Sequence, residues 1–353
     1  MPVYDALLLI SFGGPEGPED VLPFLRNVTA GRNIPDRRLA EVAEHYYLFG
    51  GISPINQQCR DLIAAIEKDF EASGIDLPVY WGNRNWPPYL ADAVAAMAAD
   101  GVTRALAVAT SAYSSYSSCR QYLEDIEQAR ARVGPAAPRI DKIPPYFDQP
   151  SFVESFAAAA QAALESLPAG VSDDADLVFT AHSIPSAMAE RSGPTGGAYP
   201  AQLAEVAARV AARLAVNRPW RVAYSSRSGP PSQPWLVPDV NDCLADLAAT
   251  GSRAVVVVPI GFVSDHMEVK FDLDVEAAQT AERLGLPFAR AATPGTSPPF
   301  VAMITDLVRQ WQAGPPAPGA PEAPDISGAL AAAREFCGSN CCAPAPARSQ
   351  AAR

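Results

Sequence analysis

The chain has 353 residues, 48% hydrophobic and 19% charged, with a formal net charge of −12. That length exceeds a usual single domain, so two domains of ordinary size are expected. No block of Lys and Arg occurs, which argues against nucleic-acid binding, because clustered cations are needed to displace counterions from phosphate.

The first residues, Met1-Pro2-Val3-Tyr4-Asp5, lack a basic region, and the apolar run that follows is too short for an export signal. The longest apolar stretch, 254–263, is about half of what crosses a bilayer and reads as a buried strand. A soluble, cytoplasmic protein is expected. Six cysteines, at 59, 119, 243, 337, 341 and 342, in a chain without an export signal argue against a disulfide framework.

In chain order, apolar runs expected as strands fall at 5–12, 78–83, 104–110 and 140–144, then at 176–182, 220–226, 253–261 and 287–291. Helical patterns separate them at 54–72, 89–100 and 121–133, and again at 202–215, 240–249, 272–284 and 299–312. Strands apolar throughout, joined by crossover helices, imply parallel sheets covered on both faces. The segments 91–101 and 241–251 resemble each other, each a helix, a Gly suited to a left-handed turn, and a buried strand. Convergent βαβ chemistry and an internal duplication both explain this, and both imply two similar α/β domains. From 313 the composition turns Pro-rich, a linker followed by a Cys-containing tail. The expected division is therefore 1–170, 171–312 and 313–353.

Open parallel sheets bind ligands beyond the C-terminal ends of their strands. No G-x-G-x-x-G follows a strand and no Walker sequence occurs, so nucleotide binding has no support. Two of the three histidines, His182 and His266, end expected strands of the second half. Each could simply satisfy a local hydrogen bond, but together at one sheet edge they mark a candidate site. Glu268, Asp272 and Glu276 recur at spacing four and form one acidic stripe on a helix. A solvated face explains such a stripe. A row of oxygen ligands ending at an imidazole also suits a divalent cation moving inward, or protons moving outward. The segments 111–119 and 224–238 follow strands with Tyr, Ser, Arg and Trp, which suit a flat aromatic ligand carrying carboxylates.

Five motifs in order carry a resemblance. They are Ser11-Phe12-Gly13-Gly14-Pro15, Gly50-Gly51-Ile52-Ser53-Pro54-Ile55-Asn56, Thr180-Ala181-His182-Ser183-Ile184-Pro185, Ser225-Ser226-Arg227-Ser228-Gly229-Pro230, and the run from Pro259 to Glu268. Over residues 4 to 312 the chain resembles the ferrochelatases, closest to actinobacterial members that metallate coproporphyrin III. The resemblance implies two Rossmann-like domains, each a parallel sheet flanked by helices, with a porphyrin cleft between them. Ferrous iron would be the second substrate, and haem b the end of the route.

The resemblance further places His182 and Glu268 at the metal-handling positions, on opposite sides of the macrocycle centre. Asp272 and Glu276 would continue the acidic line to that site. Ser53 and Tyr122 would contact the porphyrin, and Arg32 would face a propionate. Phe12 stands where some relatives carry an iron-ligating Tyr. Some ferrochelatases hold a [2Fe–2S] cluster on one internal and three C-terminal cysteines, which would here be Cys119, Cys337, Cys341 and Cys342. Adjacent ligands are awkward on one cluster, so Cys341 or Cys342 could be a bystander, and a zinc site is an alternative. Other readings are a protoporphyrin IX enzyme, a cobalt or nickel chelatase of the same fold with paired histidines, and a porphyrin carrier. The sequence gives no oligomeric state.

Overall fold

A computed structural model describes residues 4–32, 34–214, 218–229, 232–314 and 341–344. The first half runs β1 (Ala6–Ser11), α1 (Pro18–Val28), α2 (Asp36–Tyr47), α3 (Ile55–Ser73), β2 (Val79–Asn83), α4 (Leu90–Ala99), β3 (Arg104–Ala109), α5 (Gln121–Val133), β4 (Arg139–Lys142) and α6 (Pro150–Ser166). The second half runs β5 (Asp176–His182), α7 (Ser186–Ala189), α8 (Ala198–Ala211), β6 (Trp220–Ser225), α9 (Val240–Ala249), β7 (Val255–Val258), α10 (Met267–Lys270), α11 (Ala278–Arg283), β8 (Phe288–Arg290) and α12 (Pro298–Gln312).

All eight expected strands form. They pair in parallel as two four-stranded sheets of the same order, β2-β1-β3-β4 and β6-β5-β7-β8. The repeated order explains the internal likeness. Gly101 and Gly251 follow α4 and α9 at φ +79° and +88°, the left-handed turn each copy needs before its strand.

Period-two alternation divides each strand between two cores. Ala6, Leu8 and Ile10 pack with α4 and α5 on the outer face of the first sheet, while Val178, Val255 and Val257 pack with α9 and α11 on that of the second. Leu7, Leu9, Leu106, Leu177, Phe179 and Val256 face one continuous interior core filled by α3, α6, α8 and α12. Two helices exchange across the expected boundary at 170/171. α6 packs on β7, β8 and α8, whereas α12 returns to α3 and β3. Gln312 closes that return, donating to the Tyr4 carbonyl and accepting from the Tyr4 N–H, both at 3.0 Å.

The sequence reading missed α1, α2, α6 and the short α7, and it expected a single helix over 272–284. A helical path in fact begins at Met267 and passes through a π-helical stretch, Asp272–Ala277, before α11. Phe152, Val153, Phe156, Ala160, Ala163 and Leu164 do form an apolar stripe on α6 behind Pro150 at its first turn, so that helix was readable from sequence. The π widening was not, because its side-chain pattern keeps the spacing of an α-helix.

Candidate active site

The C-terminal ends of both sheets converge, and hydrogen bonds tie them. The Tyr113 hydroxyl donates to the Ile260 carbonyl at 2.8 Å, fully buried. Ser114 and Gln202 pair reciprocally at 2.8 and 2.9 Å, and the Asp265 N–H donates to Gln58 Oε1 at 2.7 Å. His45 of α2 stacks on Phe271 with ring centroids 3.6 Å apart. Helices α2 and α3 of the first half thus close over the segment that carries the acidic stripe.

His182 is the last residue of β5, and Glu268 lies in the first turn of α10, the helix that follows β7, the strand paired with β5. Their side chains touch, His182 Nε2 lying 3.2 Å from Glu268 Oε1. This corrects the expectation that they stand apart across a ring. A macrocycle between them would need about 7 Å, two van der Waals separations. Adjacent strands deliver both groups to the same side of the sheet edge.

Burial alone would lower the His182 pKa, but the charge and hydrogen bond of Glu268 reverse this and leave it raised. Burial likewise pushes the Glu268 carboxyl up, and His182 overcomes it, bringing the carboxyl down to about 2. Each partner thus favours the charged form of the other, imidazolium beside carboxylate. His266 plays a different part from the one its position suggested. Its Nδ1 accepts from the Glu268 N–H at 3.2 Å, capping α10, and its ring meets Phe262 edge-on. Burial lowers its pKa, keeping it a neutral acceptor.

Asp272 follows one turn on. Burial, with Glu268 and Glu276 nearby, pushes its carboxyl up to about 7 despite a hydrogen bond from the Ser226 hydroxyl. Ser226 holds a left-handed backbone at φ 64°, which costs a non-glycine residue about 1–2 kcal/mol. The strained turn after β6 aims the hydroxyl at Asp272. Glu276, the outermost acid, is exposed and is raised by burial first and then by Asp239. Burial thus falls off from Glu268 and Asp272 to the solvent-facing Glu276.

Of three further side chains, only Trp235 lies in a segment the sequence had marked, 224–238. The Tyr46 hydroxyl is pushed well up by burial and then by Glu268 and Asp272, which places it beside the pair. The Trp235 ring lies nearly parallel to His182, 6.5 Å away. Arg84, just after β2, lays its guanidinium 4.0 Å over the Tyr122 ring and pairs with Asp125, and its Nη2 is buried without a partner among the described residues. No sequence spacing connects these residues to His182. Of the residues expected around a porphyrin, Ser53 and Tyr122 are buried and Arg32 is exposed. Ser53 underlies Gly14 so closely that a Cβ there would lie 2.7 Å from the Ser53 Cβ. Phe12 is partly exposed at the rim and packs edge-on against Phe24.

The tail returns at 341–344. Cys341 and Cys342 place their sulfurs 4.0 Å apart, the Gly193 N–H donates to Cys342 Sγ at 3.1 Å, and Arg191 donates to the Pro344 carbonyl at 3.2 Å. Burial pushes the Cys342 thiol up to about 12, with Cys341 and Cys119 adding to it. Cys119 is buried in a π-helical turn, Tyr116–Arg120. Cys337 lies outside the described residues. Among the described residues no three His, Cys, Asp or Glu side chains are gathered closely enough to hold a metal ion. The buried sulfur facing a backbone N–H does fit a thiolate ligand, which a metal would create by displacing the proton.

The family model described as Ferrochelatase matches residues 4–312. The chain belongs to the ferrochelatase family. It is 52% identical to the coproporphyrin III ferrochelatase of Streptomyces coelicolor, over 98% of this chain and 95% of that one. It is 57% identical to the coproporphyrin III ferrochelatase of Nocardia farcinica, over 87% of this chain and 88% of that one. Among solved structures it resembles the sirohydrochlorin chelatase SirB from Bacillus subtilis subspecies spizizenii in complex with cobalt. That match is 13% identical with a TM-score of 0.52, covers 88% of this chain and 96% of that one, and shows the shared fold. As a family member the chain is an enzyme of the metal-chelatase type. Among the described residues no helix is long and apolar enough to cross a membrane.

Proposed function

We propose that this chain inserts ferrous iron into coproporphyrin III to give the iron porphyrin used for haem b, and that it acts in the cytoplasm. The observation that carries this reading is the His182–Glu268 pair at 3.2 Å, at the inner end of the line Glu268, Asp272, Glu276. The names of the Streptomyces coelicolor and Nocardia farcinica relatives favour the four-propionate substrate over protoporphyrin IX. Residues 1–170 and 171–312 are taken as the two walls of the cleft, with 313–353 as linker and tail.

Metal insertion must remove two pyrrole N–H protons while a dication is placed in the ring. His182 is the proton acceptor, as an imidazole whose basicity is raised by a neighbouring carboxylate. A cation arriving at Glu268 competes with the imidazolium for the same oxygens and so releases the His182 proton before the ring is metallated. Asp272, pushed up to about 7 by burial, can both take up and give up a proton near neutrality and is the next station, and exposed Glu276 connects it to solvent. Exposed Arg32 suits a propionate at the rim, with Ser53 and Tyr122 as further porphyrin-binding candidates.

We further assign Cys119, Cys337, Cys341 and Cys342 to a [2Fe–2S] cluster. Bound there, it would tie the tail to the first half of the chain. The buried Cys342 sulfur and its Gly193 N–H support this. Iron and sulfide analysis with visible absorption tests it, and protein purified anaerobically without either would end this part of the proposal.

The deciding experiment is anaerobic incubation with ferrous iron and each porphyrin. Conversion of the coproporphyrin III spectrum to that of the metalloporphyrin, faster than for protoporphyrin IX, is expected. Binding without spectral conversion would make the protein a carrier. His182→Ala should abolish insertion while porphyrin still binds, and near-normal turnover would remove His182 from the mechanism.

A further inference from the structure

Arg290 ends β8 with only 14% of its side chain exposed. Its guanidinium forks twice. Nε and Nη2 donate to the two carboxylate oxygens of Asp274 at 2.7 and 3.0 Å, and Nη1 and Nη2 donate to those of Asp265 at 3.2 Å each. Asp265 also accepts from the Thr293 hydroxyl at 3.0 Å, and Asp274 pairs with Lys270. These two carboxylates bracket the segment that bears the site. Asp265 directly precedes His266, and Asp274 lies within the π-helical stretch between Asp272 and Glu276.

The bracketing matters because of how four-residue spacing behaves. In an α-helix four residues overshoot one turn by about 40°, so an acidic stripe at that spacing winds around the axis. In the wider π turn, where the Glu276 N–H donates to the Phe271 carbonyl at 3.0 Å, four residues fall short of a turn instead. The α step from Glu268 to Asp272 and the π step from Asp272 to Glu276 therefore offset each other and keep the three acids in one file. π turns are rare and need tertiary support. Asp274, two residues from each neighbour in the file, is directed to the other side, where Arg290 holds it. With Lys270 and Arg290 matched against Asp265 and Asp274, the strap is neutral and acts on the file by geometry, not by added charge.

We propose that Arg290 is a positioning residue for delivery of the metal: its double fork holds the π turn in register, so that Glu268, Asp272 and Glu276 present one continuous row to the incoming cation. This rests on the iron-insertion reading above.

The test compares Arg290→Lys, Arg290→Gln and Asp274→Asn with the wild type. Initial rates are taken against ferrous iron at saturating coproporphyrin III and the reverse, with porphyrin affinity from fluorescence quenching. Arg290→Lys keeps the charge and loses the fork. It should raise KM for iron about tenfold or more, with porphyrin affinity within twofold. Asp274→Asn, which loses one arm, should move KM for iron in the same direction by less. A folded Arg290→Lys protein with KM for iron within twofold of wild type would overturn the proposal, as would an equal fall in kcat with both KM values unchanged. If Arg290→Gln fails to fold, the other two variants decide. If the wild type metallates neither porphyrin, the iron-insertion reading has failed on its own. Calorimetric titration with cobalt(II) alone then still decides the positioning role, through a tenfold weaker site in Arg290→Lys or its absence.

Discussion

Replacing Glu268 by Gln keeps the shape of the side chain and removes the charge 3.2 Å from His182 Nε2. Two unit charges at that distance interact by about 5 kcal/mol at an effective dielectric of ~20. The fall of the Glu268 carboxyl from 4.5 to about 2 corresponds to roughly 3 kcal/mol after the cost of burial. With 40% of the Glu268 side chain exposed, solvent screening leaves about 1–2 kcal/mol, or about one pKa unit on His182. Without Glu268, burial dominates and the His182 pKa should drop below the ordinary 6.5. The chain has three histidines, so 13C-edited NMR of labelled protein gives three titration curves to follow. His182 should titrate above 6.5 in the wild type and below it in Glu268→Gln, with His45 moving little. The groups around it that can interfere are His266, Asp272 and Tyr46. In stability, the advantage of wild type over Glu268→Gln should be present between the two folded pKa values. It should fade as pH falls from 4.5 toward about 2, where Glu268 protonates, and again as pH rises through the His182 value. A His182 pKa unchanged in the variant would refute the claim that this pair sets the basicity of the site.

Asp272, raised from 3.8 to about 7, favours the folded state fully below 3.8 and loses that contribution as pH rises through about 7. Asp272→Asn should therefore gain on wild type by about 2–4 °C in melting temperature between pH 5 and pH 8, read by calorimetry at both values. Ser226→Gly releases the left-handed strain but loses the hydroxyl that stabilises ionised Asp272. Its melting temperature at pH 5 should hold or rise by a few degrees, while the midpoint of any pH–rate limb due to Asp272 shifts upward. Tyr113→Phe leaves the buried Ile260 carbonyl without its donor at the junction of the two halves, costing about 1–3 kcal/mol in urea unfolding, and an unchanged midpoint would show that the junction repacks.

Much of the site was legible because its parts are local. His182 ends the largely apolar β5 and Glu268 comes after the all-valine β7, and the four-residue spacing of the acids is visible in the sequence itself. Ser226 was quoted within a motif, but its role depends on a backbone angle that no residue type announces. Tyr46 stayed hidden because it reaches the pair from α2, far along the chain.

By itself the sequence determined the eight strands, the repeated helix–Gly–strand unit and the acidic spacing, since periodicity and glycine conformation act over a few residues. Only the tertiary structure decided that α6 and α12 exchange halves and that His182 touches Glu268 on one side of the site. The π turn beneath Asp272 was settled at the same level, in the setting of Arg290. Those outcomes depend on which surfaces meet when β5, β7 and β8 align. That alignment is fixed by burial summed over the shared core, which no short stretch of chain encodes.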